Sequence, residues 1–99
     1  QLEDVGGEAF VLGAVNRPGA YPIPPQGLSV SRAILEAGGF ARFARDRQVK
    51  LVRNDPGDGA EKQVYTVDVK AILEEGDYAE DRDLQAGDIV RVEEKVINF

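Results

Sequence analysis

Gly13-Ala-Val-Asn-Arg-Pro-Gly-Ala-Tyr21 sets the chain on its course. It overlaps the apolar run Phe10-Val-Leu-Gly-Ala-Val15, which reads as a strand buried on both faces. Gly13 inside that run marks a bulge or a close backbone approach. Arg17-Pro18-Gly19-Ala20 fits a type II turn. Pro presets φ at its second position and Gly supplies positive φ at the third. Tyr21 and Ile23 then form a short second strand. Pro22, Pro24 and Pro25 withhold ladder donors, so that strand is expected to lie at a sheet edge or to end quickly.

Downstream, Ser29 is a helix N-cap, and Val30, Ala33, Ile34 and Ala37 recur on one helical face. Gly38 is the left-handed stop in Ala33-Ile-Leu-Glu-Ala-Gly-Gly39. Gln48-Val-Lys-Leu-Val-Arg53 and Gln63-Val-Tyr-Thr-Val67 read as a hairpin whose long, mobile loop contains Asn54-Asp-Pro-Gly-Asp-Gly59. Asp68 caps a short helix over 69–74 that stops near Gly76. The acidic stretch Asp77–Asp83 is loop-like, and Leu84-Gln-Ala-Gly-Asp-Ile-Val-Arg-Val92 turns into a last strand. The order β-β-α-β-β-α-β predicts an α+β domain with a mixed sheet of about five strands, one main helix and one short helix. Val11, Val15, Ile34, Leu51, Val67, Ile72, Leu84 and Val90 are the expected core.

The 99 residues make one domain with a small core. No apolar run approaches the roughly 20 residues of a membrane-spanning helix. A chain that opens on Gln1 is expected to be a processed or excised piece of a larger protein. Residues 1–8 read as a flexible lead-in, 9–93 as the domain and 94–99 as an exit segment whose Val96, Ile97 and Phe99 pack on something. The net charge of −6 is uneven. Residues 32–53 carry six basic side chains against Glu36 and Asp46, whereas 54–99 carry five basic and thirteen acidic ones. Blocks of this kind either solvate the surface or form complementary faces for head-to-tail contacts. Hairpin pairing is the alternative: it folds the two blocks onto one neutralised surface.

Catalysis is not expected. The chain has neither His nor Cys, so the usual general base and the strongest nucleophile are missing, as are thiolate and imidazole metal ligands. The serines, Ser29 and Ser31, sit at the helix start. The acidic order D-Y-A-E-D-R-D lacks the alternating spacing of a calcium loop. No catalytic residue, metal or cofactor is assigned. Gly38-Gly39 follows a helix, whereas phosphate cradles precede one. Phe40 and Phe43 among the arginines of 42–53 could serve nucleic acid, but the acidic whole disfavours a polyanion, so these rings are expected to complete the core.

The four phrases above, with Val49-Lys-Leu-Val-Arg53 as the third in order, together resemble the SLBB family of soluble-ligand-binding domains of the β-grasp type. The match falls on Gly13 and Val15, on Pro18, Gly19 and Tyr21, on Ala37, Gly38 and Gly39, and on Leu84, Gly87 and Asp88. The resemblance implies a β-grasp topology and a non-catalytic periplasmic domain of an outer-membrane-associated polysaccharide export protein. In such proteins these domains stack in a ring around a sugar-conducting space, with neighbouring copies or domains as partners. Similar domains accompany DNA-uptake receptors of competence systems, and a β-grasp interaction adaptor is a third reading. Given a polysaccharide ligand, Asn16, Arg17, Tyr21, Arg42 and Arg45 are the candidate contacts. Tyr offers a flat face to a sugar ring, and Arg offers directional donors to hydroxyls or uronate carboxylates.

Overall fold

The structure, a computed structural model, describes residues 7–54 and 62–95. Strands β1 (Glu8–Gly13), β2 (Gly19–Pro22), β3 (Val49–Asn54), β4 (Lys62–Val67) and β5 (Ile89–Val92) form one sheet in the order β2-β1-β5-β3-β4. The first and last strands run parallel at its centre and the other pairings are antiparallel. Helices α1 (Val30–Glu36) and α2 (Val69–Glu75) complete the α+β fold. β2 is an edge strand and ends at Pro22, before Pro24 and Pro25, as the prolines favour.

Local signals act where the sequence places them. The Ser29 hydroxyl accepts from the Arg32 amide, and Asp68 accepts from the Ala71 amide at 2.9 Å. Past α1, Gly38 donates to the Leu35 carbonyl and Gly39 to that of Ile34, a Schellman stop with both glycines near φ +85°. Gly76 ends α2 in the left-handed region. Gly13, at φ +96°, faces the Val92 backbone so closely that a Cβ would sit 2.1 Å from its carbonyl oxygen. The close approach expected there is real, and it lets the central parallel strands come together.

One sheet face packs on the helices. Val11, Val90 and Leu51 align across β1, β5 and β3, and Ala33, Ile34, Val69 and Ile72 belong to the same buried cluster. All eight expected core residues are buried. Ile34→Ala should cost about 3 kcal/mol in urea denaturation, since its side chain is fully enclosed. A loss below about 1 kcal/mol would contradict that packing.

Three expectations need correction. β1 is not buried on both faces: Phe10 and Leu12 are exposed, because the open face of the sheet carries no helix. On that face Ala20, Phe10, Ile89, Val52 and Val64 align as partners, an apolar row crossing all five strands. No type II turn forms at Pro18-Gly19. Gly19 has φ +159°, close to extended, and already starts β2, whereas a type II turn needs about +80° there. The Tyr21 hydroxyl, donating to the Arg17 carbonyl, closes the bend instead. Within Asp77–Asp83, a 3-10 turn forms at Tyr78–Glu80.

β1 begins at Glu8, inside the expected lead-in. In the exit segment, Glu94 pairs with Ala44 and the Lys95 amide donates to the Phe43 carbonyl. The expected packing of Val96, Ile97 and Phe99 lies outside the described residues, as does the loop at 55–61.

Candidate functional site

Because β1 and β5 are parallel, their carboxyl ends share one end of the sheet. The Ala14 amide donates to the Val92 carbonyl there, and the Ala41 amide to the Ala14 carbonyl. The exit from α1 and the stretch 41–48 lie against these strand ends, and the Lys70 amide at the start of α2 donates to the Asp46 carbonyl. Of the five sequence-assigned contacts, Asn16, Arg17, Arg42 and Arg45 lie in segments meeting at this end, while Tyr21, opposite Ala9 near the start of β1, reaches it through its hydroxyl's bond to the Arg17 carbonyl; they fall into two groups.

Asn16, Arg17 and Tyr21 form the first. The Asn16 amide nitrogen donates to the Gly38 carbonyl at 2.7 Å, and the Arg17 backbone amide to Ala37. One guanidinium nitrogen of Arg17 reaches the Glu36 carbonyl at 3.3 Å. These donors serve the orphan carbonyls at the end of α1. The half-buried Tyr21 ring packs against the core. Arg17 is exposed and retains donors beyond that bond.

Arg42 and Arg45 form the second group. The Arg42 guanidinium sits 5.4 Å from the centroid of the Phe43 ring, within cation–π range. Arg45 is bound to the exit strand through its backbone amide to Glu93 and its Nε to the Glu94 carbonyl at 3.3 Å. Sequence reasoning placed Phe43 in the core. Phe40 does pack there, but Phe43 is 51% exposed and sits at φ +62°, the left-handed region a bulky residue rarely enters. The chain must turn within two residues of Phe43 to lay Arg45 beside Glu93, and that turn sends the ring outward.

Beside Arg45 lies a hollow of about 210 Å³ lined by Arg45, Asp46, Arg47, Gln48, Lys70 and Lys95. Arg47 bridges Asp68 at 3.0 Å and Glu75 at 3.1 Å. Hydrogen bonds to Glu75 and then to Asp68 hold its guanidinium above the ordinary arginine value. A larger, shallow hollow of about 480 Å³ runs along α1 past Ser29, Ser31, Arg32, Leu35 and Glu36, where Arg32 and Glu36 offset each other in charge.

The other end of the sheet holds the interactions sequence reasoning missed. Asp88, almost fully buried, accepts from Arg53 Nε at 3.1 Å and Nη2 at 2.8 Å, and from the Gln85 amide at 2.8 Å. The same Nη2 donates to the Asp83 carbonyl. Hydrogen bonding to Asp88 raises the Arg53 pKa, so the stability that comes from Arg53's own titration is fully present below the unfolded arginine pKa and is lost as pH rises through the folded one. Asp81 accepts from the Ser31 hydroxyl at 2.5 Å and from its amide at 3.2 Å, adding a carboxylate at the start of α1. The acidic block thus folds onto α1 and β3. Arg47 and Arg53 of the basic block are paired within the chain, through α2 and the turn before β5 rather than across the β3–β4 hairpin.

A mixed five-stranded sheet with helices on one face, its caps and ion pairs committed to holding loops, defines a small α+β module. The SLBB domain family model matches residues 7–92. The chain therefore belongs to the SLBB domain family, a ligand-binding, non-catalytic family found in polysaccharide export proteins and related proteins. Among the described residues no helix is long and apolar enough to cross a membrane.

Proposed function

We propose that this chain is a non-catalytic, periplasmic ligand-binding domain of an outer-membrane-associated polysaccharide export protein. Its ligand surface is the sheet end bearing Asn16, Arg17, Tyr21, Arg42 and Arg45. Family membership over residues 7–92 carries the reading, and the arginine donors at that end, exposed at Arg17 and Arg42 and half-buried at Arg45, support it. Tyr21 acts mainly by fixing the backbone at Arg17, whereas Asn16 spends its Nδ2 on the Gly38 carbonyl and keeps its Oδ1 for ligand. Neighbouring copies or domains are the protein partners, and the apolar row on the open sheet face offers them a packing surface.

Titration of labelled protein with neutral and acidic bacterial oligosaccharides, followed by NMR, tests this. Binding at millimolar ligand should shift the signals of Arg17, Arg42 and Arg45 together. If no shifts cluster at that end, the ligand-binding role is wrong and the domain is structural.

A further inference from the structure

We propose that the hollow beside Arg45 takes a carboxylate-bearing sugar unit, with Phe43 as the platform for the sugar's apolar face. This rests on the polysaccharide reading above and narrows it to a ligand class. Two independent features support it. The first is charge. Arg45, Lys70 and Lys95 have no ion-pair partner among the described residues, whereas Arg47 is satisfied by Asp68 and Glu75. Only Asp46 opposes them along the lining. A net positive hollow on a protein of net charge −6 is a local exception to its own field.

The second is Phe43. A large apolar ring held outward in left-handed backbone is unfavourable twice over, in conformation and in hydration. The Phe43 ring borders the hollow rather than lining it: the residue's backbone carbonyl accepts from the amide of Lys95 at 2.7 Å and Arg45 lies two residues on. The Arg42 guanidinium stands 5.4 Å from the ring centroid, so the sugar would stack on the opposite ring face. An apolar face beside unpaired cations matches a uronate ring, which presents C–H groups on one side and a carboxylate at its rim. Arg45 offers its terminal nitrogens, which make no bond among the described residues, and the lysines act as point charges. A free phosphate would use the cations but not the ring.

Calorimetry on this chain should compare tetragalacturonate, its methyl ester and inorganic phosphate at low salt. Tetragalacturonate is expected to bind best, with esterification or the Lys70→Gln/Lys95→Gln pair each weakening it about tenfold. Phe43→Ala should weaken it about fivefold and Phe43→Tyr should restore it. Arg32→Gln, on the α1 hollow, should leave it unchanged. Equal affinity for the methyl ester, indifference to Phe43→Ala, or phosphate binding as tightly as tetragalacturonate would overturn this site while leaving the polysaccharide reading standing. Failure to bind any oligosaccharide, neutral ones included, would overturn both.

Discussion

Gly13→Ala is expected to leave little folded protein at 25 °C. The new Cβ would meet the Val92 carbonyl oxygen at 2.1 Å and its carbonyl carbon at 3.0 Å. These are backbone atoms of the neighbouring central strand, so no side chain can swing aside. The positive φ adds its own strain. The combined loss should reach at least about 4 kcal/mol, most of what a domain of this size has to lose. Gly39→Ala separates the two causes. Its φ is also positive, but nothing lies within 4 Å of the added carbon, so it should cost only about 1–2 kcal/mol. Urea denaturation followed by circular dichroism measures both. Equal losses at the two glycines would mean that strand proximity is not what Gly13 provides.

Asp88→Ala should be nearly as damaging, at about 3–5 kcal/mol. It strands the Arg53 guanidinium, whose side chain is only 19% exposed, and orphans the Gln85 amide. It also releases the turn that starts β5. Replacing both partners, Asp88→Leu with Arg53→Met, should recover much of the loss, because an apolar pair leaves no uncompensated charge. A double variant no more stable than Asp88→Ala would show that the aspartate serves the turn rather than the ion pair.

These cases show which parts of the fold are legible in the sequence. The caps at Ser29 and Asp68, the stops at Gly38 and Gly76 and the edge position of β2 depend on groups a few residues apart, and short-range chemistry decides them. Gly13 was readable because a glycine inside an apolar strand has few other uses. The Arg53–Asp88 pair joins residues 35 apart and the Ser31–Asp81 contact residues 50 apart. Neither exists until topology sets β3 beside β5 and brings the acidic segment to the start of α1. The exposed side of β1 was misread for a related reason. A continuous apolar run does not reveal that both helices choose the same face. Of the site, the arginines were visible as residue types, but the commitment of Asn16 and Tyr21 to backbone was not. Phe43 was assigned to the core because aromatic rings usually belong there, and only the backbone turn before Arg45 places it outside.

The central claim is that the ligand surface is the end where β1 and β5 terminate. A nitroxide attached to the reducing end of tetragalacturonate would test it directly, through paramagnetic broadening of backbone amides. The account predicts the strongest broadening at Arg42–Arg45, Lys70 and Lys95, with Arg17 also affected. Broadening centred on Phe10, Val52, Val64 and Ile89 of the open sheet face, or no more than free nitroxide produces, would contradict it.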